Sequence, residues 1–147
     1  SAVKGNVGAM YNLGALYYKE GDKVKAKEWL EKSASKGAAE AMYNLGVLYY
    51  EEGDKVKAKE WYEKSAVKGN VGAMYNLGAL YYEEGDKVKA KEWLEKSAVK
   101  GNVSAMHGLG VLYYKEGDKV KAEELFEKAA AEGSIEAMVA LEEMKKN

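Results

Sequence analysis

The chain has 147 residues and a formal charge of −1, with 47% hydrophobic and 32% charged residues, the balance of a folded chain rather than a disordered one. It contains no proline, no cysteine and no arginine, since all 23 basic residues are lysine, and its single histidine is His107. Disulfides, thiolate-held zinc or iron–sulfur clusters, multi-histidine metal centres and most catalytic triads are thereby excluded. Near-neutral charge without arginine also argues against duplex nucleic-acid binding, and no stretch reaches the roughly 20 apolar residues of a membrane-spanning helix. No cofactor, nucleic acid or membrane is therefore expected.

The opening Ser1-Ala2-Val3-Lys4-Gly5 matches the interior segments that begin at Ser65 and Ser97, so residues 1–4 read as the remnant of a preceding helix. From there the chain repeats. Gly5, Gly37, Gly69, Gly101 and Gly133 recur every 32 residues, as do Gly21, Gly53, Gly85 and Gly117. The units are 5–36, 37–68, 69–100 and 101–132, followed by a half unit at 133–147. Units 5–36 and 69–100 differ only at Lys19/Glu83 and Ser35/Val99, which implies recent duplication or deliberate consensus construction.

Each unit reads as two helices of about 14 residues, about 21 Å long, and too short to persist unless stacked. In the first unit the first helix carries Met10, Leu13, Gly14 and Tyr17 on one stripe, widened by Ala9 and Leu16. Gly14 recurs as Gly46, Gly78 and Gly110, where a close approach of two helix backbones would explain it. Gly21-Asp22 then stops this helix and starts the next, glycine taking a left-handed position and aspartate capping. The second helix places Ala26, Trp29, Leu30, Ser33 and Ala34 on its apolar stripe, and Trp61 and Trp93 occupy the same position as Trp29. Junctions between units use Gly69-Asn70, Gly101-Asn102 and Gly133-Ser134. Only Gly37-Ala38 lacks a capping side chain. In Glu51-Glu52-Gly53-Asp54-Lys55-Val56-Lys57 the charges oppose both helix dipoles, so pairing across the turn is expected, with further i,i+4 pairs at Glu28–Lys32 and Glu60–Lys64. The last helix, Ser134 to about Lys146, should close the stack with Ile135, Met138, Leu141 and Met144. At the other end an uncapped apolar edge on the first helix predicts self-association or a longer parent array.

The run Ala-Met-Tyr-Asn-Leu-Gly-Val-Leu-Tyr-Tyr at 41–50, then Lys-Ala-Lys-Glu-Trp-Tyr-Glu-Lys-Ser-Ala-Val-Lys-Gly at 57–69, resembles the Sel-one-like repeat (SLR), a relative of the tetratricopeptide repeat. The resemblance recurs four times. The 12 residues from Gly14 to Ala26 give tetratricopeptide-like spacing inside the hairpin, while the junction from Trp61 through Gly69 to Leu77 keeps the SLR pattern. It implies an all-α fold, an α-solenoid in which antiparallel helix hairpins stack into a right-handed superhelix. It further implies a non-enzymatic scaffold whose first helices line a concave surface for a protein or peptide partner. Carried over by position, that surface comprises Gly8, Tyr11, Asn12, Ala15, Tyr18 and Lys19, then Tyr43, Asn44 and Tyr50, then Tyr75, Asn76 and Tyr82. In the fourth unit His107 and Gly108 replace the Tyr-Asn pair and Tyr114 is kept.

A tyrosine ladder suits binding, because each ring offers contact area, a hydroxyl handle and few rotors. The asparagines could pair an extended peptide's N–H and C=O, or they and the tyrosines could simply bridge adjacent first helices. His107-Gly108 either tunes the groove or reflects drift in the unit where tryptophan is also lost to Leu125. Catalysis by His107 would need an orienting acid and a nucleophile, and only Ser104 and tyrosines are near in sequence. The rival readings are an engineered or consensus array with no natural ligand, and an aromatic ladder for carbohydrate.

Overall fold

The computed structural model describes residues 6–146, so the expected helix remnant at 1–4 lies outside the described residues. Within them the chain forms nine helices and no strand: α1 (Val7–Lys19), α2 (Lys23–Ser35), α3 (Ala39–Glu51), α4 (Lys55–Val67), α5 (Val71–Glu83), α6 (Lys87–Val99), α7 (Val103–Lys115), α8 (Lys119–Ala131) and α9 (Ile135–Lys145). Each of the first eight has 13 residues, and the three-residue junctions between them complete the 32-residue period.

The junctions follow from one glycine conformation. Gly21 has φ 84°, in the left-handed region where a Cβ is disfavoured. Its N–H donates to the Tyr18 carbonyl at 3.0 Å, and the N–H of Asp22 donates to the Tyr17 carbonyl at 2.9 Å, which satisfies the last carbonyls of α1. Asp22 then caps α2, its carboxylate accepting from the Lys25 N–H at 3.1 Å. One residue thus ends one helix and begins the next. Seven further glycines, from Gly37 to Gly133, take the same positive φ. Ala38 keeps the extended cap backbone, at φ −74° and ψ 108°, but offers no side-chain bond. A missing cap of this kind costs about 1 kcal/mol.

The described chain divides into two compact units, one ending at Ala73 and one beginning at Met74. In the first, α2 packs against both α1 and α3, and α3 packs against α4. Its core is Ala26, Leu30, Ala34, Ala41, Met42, Leu45 and Leu48. Buried Ser33 and Ser65 tie each second helix to the start of its hairpin partner, donating to the Val7 carbonyl at 3.1 Å and the Ala39 carbonyl at 2.7 Å. In the second unit α7 packs between α6 and α8, and α9 lies on α8, its Ala137 joining Ala122, Phe126 and Ala129 in one core.

Five expectations about side chains need correction. Leu16 does not widen a buried stripe: it is 50% exposed, whereas Leu48 at the same repeat position is 1% exposed. Leu48 is covered by the α2 residues of its cluster, and no described helix stands in that place for Leu16. The tryptophans are half-buried at the edge of the core rather than inside it, and Lys32, Lys64 and Lys96 reach over their rings at 4.3–4.5 Å. Lys32 and Lys64 are therefore turned to Trp29 and Trp61 rather than to Glu28 and Glu60. Two ion pairs at the helix ends run between hairpins rather than across the turn: Lys27 Nζ meets Glu52 at 2.9 Å and Lys91 Nζ meets Glu116 at 2.8 Å. In α9 the face against the core is Ala137, Ala140, Leu141 and Met144, while Ile135 and Met138 are exposed. This set has the i, i+3, i+4, i+7 spacing of one helical face.

Candidate functional site

The first helices α1, α3, α5 and α7 carry every residue of the expected ladder. Gly14, Gly46, Gly78 and Gly110 let these helices close on their hairpin partners. A Cβ at Gly46 would stand 2.6 Å from the Tyr62 ring, and one at Gly14 would stand 2.8 Å from Leu30 Cγ and 3.3 Å from the Ala26 carbonyl oxygen. The close approach is thus to a partner side chain first and to backbone second. It fixes the rotation of each first helix and hence the direction of its outer stripe.

In the first unit, Tyr11, Ala15, Tyr43 and Asn44 are half-buried, while Asn12 and Lys19 are exposed and Tyr18 and Tyr50 are about two-fifths exposed. Neighbouring first helices are wired together through this stripe. Asn44 Nδ2 donates to the Tyr11 hydroxyl oxygen at 3.2 Å, and the Tyr18 hydroxyl donates to both Glu51 carboxylate oxygens at 2.9 and 2.8 Å. Both bonds span 33 residues, one repeat plus one position. The bond to Glu51 holds the Tyr18 phenol above its ordinary pKa, because the carboxylate favours the protonated hydroxyl. Tyr43 tilts onto Tyr62, with ring centres 5.9 Å apart. Bridging between first helices is therefore one thing Tyr11 and Asn44 do.

In the second unit, Tyr75, Asn76, His107 and Tyr114 are half-buried and Tyr82 is exposed. Here the wiring changes sign. Lys115 stands where Glu51 stands in the second repeat, and its Nζ donates to the Tyr82 hydroxyl oxygen at 3.0 Å. The ammonium favours the tyrosinate and pulls the Tyr82 phenol below its ordinary pKa. His107 tilts against Phe126 at 5.7 Å between ring centres, and Tyr114 packs beside the Phe126 cluster. Gly108 occupies the position of Asn44, so the partner of Tyr75 in this pattern is missing.

Two features of the site were not read from sequence. Tyr49 lies between Lys27 and Lys57, whose ammonium groups stand 5.0 and 5.3 Å from its ring, and Tyr113 lies likewise between Lys91 and Lys121 at 5.1 and 5.2 Å. The signal was the fixed spacing of lysines at the start of each second helix, but which ring they cover depends on the neighbouring repeat. The second is Tyr62, which replaces the leucine of Leu30 and Leu94 and carries the Tyr43 ring. Among the described residues no group of three or more His, Asp or Glu side chains could hold a metal ion. Nor is any described helix long and apolar enough to cross a membrane.

Comparison with known proteins agrees with this architecture. The Sel1 repeat family model matches residues 7–37, 39–70, 71–102 and 103–134. Among solved structures, a protective antigen of uropathogenic Escherichia coli with an SLR fold is similar at 34% identity and a TM-score of 0.83, over 93% of this chain and 33% of its own. A Sel1 repeat protein from Oxalobacter formigenes is similar at 30% identity and a TM-score of 0.82, over 94% of this chain and 63% of its own. A tetratricopeptide repeat protein from Parabacteroides merdae shares the fold at 22% identity and a TM-score of 0.73, over 90% of this chain and 56% of its own. The chain thus spans a third of the first of these and under two thirds of the others. No curated protein matches it in a sequence search. These likenesses set the fold class as all-α helical hairpins of the solenoid type. With four successive repeat matches covering most of its length, the chain belongs to the Sel1 repeat family.

Proposed function

We propose that this chain is a non-enzymatic scaffold that binds an extended polypeptide along the face formed by its first helices. Sel1 repeat and tetratricopeptide-like proteins are generally protein-interaction scaffolds, and the Sel1 family is typically non-catalytic. The observation that carries the reading is the state of the outer tyrosines. Tyr18, Tyr50 and Tyr82 stay 38–40% exposed, and the hydroxyls of Tyr18 and Tyr82 are held by charged side chains of the next first helix. Large rings already ordered in the free protein lose little conformational entropy on binding. The proposed contact residues are Tyr11, Asn12, Ala15, Tyr18, Tyr43, Asn44, Tyr50, Tyr75, Asn76, Tyr82, His107 and Tyr114.

The test is selection of linear peptides from a random library, followed by mapping of backbone amide shifts on peptide addition. Shifts concentrated on α1, α3, α5 and α7, and lost in a Tyr18, Tyr50, Tyr82→Ala variant of unchanged helicity, are expected. Shifts confined to the second helices, or binding of glycans in place of peptides, overturn the reading. A second mode, self-association through α1, is favoured by the exposure of Leu16. Sedimentation should then show a concentration-dependent dimer that Leu16→Lys abolishes, and a strict monomer at all concentrations removes it.

A further inference from the structure

The glycine at position 108 differs in kind from the other glycines of the first helices. A Cβ at Gly110 would stand 2.7 Å from the Phe126 ring, whereas a Cβ at Gly108 would meet nothing nearer than Leu94 Cδ1 at 4.0 Å. Packing therefore does not require glycine there. What glycine leaves is space: a pocket of about 300 Å³ walled by Tyr75, Ala79 and Val111 and floored by Leu94, at the lower end of the size range of small-ligand sites. In the first unit the equivalent place is filled, since Asn44 sits there and reaches back to the Tyr11 hydroxyl.

The two ends of this pocket are not alike. At one end Lys115 and Glu83 both line the wall, so their charges offset. Past the other end, Tyr75 and His107 form a partition shared with a second, polar pocket of about 310 Å³, which is lined by Glu132 and Glu136 and contains no lysine. The Glu136 carboxylate is fixed there by the Ser134 hydroxyl, which donates to it at 3.2 Å. An apolar recess thus adjoins an acidic one across two side chains.

We infer that the Gly108 pocket is an anchor site for one bulky apolar side chain of a bound peptide, with an adjacent lysine or arginine of that peptide seated toward Glu132 and Glu136. Charge complementarity selects the basic neighbour: apart from the His107 imidazole, which it shares with the apolar pocket, the acidic recess is lined by no basic side chain, and its two carboxylates would repel a third. The apolar walls select the anchor, because burial there removes nonpolar surface from water without stranding a polar group. The inference rests on the peptide-binding reading above and adds its specificity.

The test restores the repeat pattern. Gly108→Asn places the amide where it can donate to the Tyr75 hydroxyl as Asn44 does to Tyr11, closing the pocket while leaving the fold intact or firmer. Ala79→Leu fills the same space from the facing helix and serves if the first variant fails to fold. A random library of linear dodecapeptides is selected on the parent chain and on each variant, and individual peptides are then measured by fluorescence anisotropy. Parent-selected peptides should share a bulky apolar residue within two positions of Lys or Arg. Their affinity should fall at least tenfold on either variant, and changing the basic residue to Glu should cost a similar factor on the parent only while Glu132 and Glu136 are present. Peptides that bind the first-helix face but lack this pair, or bind the variants as tightly as the parent, overturn the anchor site and leave the scaffold reading standing. If no peptide is enriched on the parent chain at all, both fall.

Discussion

Two glycines two residues apart in α7 show how one residue type can serve opposite ends. Gly110 is required, since its Cβ would collide with the Phe126 ring at 2.7 Å. Gly108 is not required, since its Cβ would meet only Leu94 Cδ1, at an unstrained 4.0 Å. Gly110→Ala should therefore cost about 1–3 kcal/mol from forced repacking. Gly108→Ala should stabilise, by up to about 1 kcal/mol, through helix propensity alone. Urea unfolding of the two variants checks this, and destabilisation of both would mean that Gly108 has a packing role. The tyrosines offer a second contrast at this scale. Tyr18 donates to a carboxylate and its folded pKa is raised, so its contribution is complete below the unfolded phenol value and is lost as pH rises through the folded one. Tyr82 accepts from an ammonium and its folded pKa is lowered, so its contribution is present above the unfolded value and is lost as pH falls through the folded one. In an alkaline titration followed by ring-carbon chemical shifts, Tyr82 should ionise before Tyr18. Lys115→Glu should move Tyr82 into the later class, and an unchanged order in that variant would break the assignment.

Within the elements, the second helices show what a repeat loses when it diverges. Three of them carry Trp29, Trp61 and Trp93 as half-buried lids at the core edge, each with a lysine three residues on lying over the ring. In α8 the tryptophan is Leu125, and the lysine, Lys128, remains. A cavity of about 250 Å³ opens beside Leu125, walled by Val99, Met106, Leu109, Lys121 and Lys128 among others. The backbone is already that of the other hairpins, so Leu125→Trp can refill the space without a new fold. A gain of about 0.5–2 kcal/mol is typical of cavity filling. For a chain of this size that corresponds to a rise in Tm of a few degrees. A fall in Tm would show that Phe126, which stands where the other units have leucine or Tyr62, has already taken the volume.

At the scale of the whole chain, what could be read in advance was what recurs, and what could not was what depends on a neighbour. Helix number, the Gly-Asp and Gly-Asn junctions and the uncapped Ala38 follow from local grammar, because capping and left-handed glycine act over four or five residues. The ladder positions came instead from the resemblance to the Sel-one-like repeat. The routing of Lys27 to Glu52, the burial of α9 through Ala137 and the space at Gly108 depend on which helix lies alongside, and a periodic sequence carries no record of that. Leu16 and Leu48 make the point quantitative. They are the same residue at the same place in the repeat, yet one is 50% exposed and the other 1%. In a repeat array each unit is stabilised by its own packing and by its nearest neighbours, so identical substitutions need not have identical costs. Leu48→Ala removes methylenes from a filled core and should cost about 2–5 kcal/mol. Leu16→Ala removes a half-solvated side chain from a helix surface and should cost under about 1 kcal/mol. Denaturant midpoints at a concentration low enough to exclude self-association measure both. Equal losses would mean that Leu16 is covered in solution, and the covering group would then have to come from another copy or from outside the described residues.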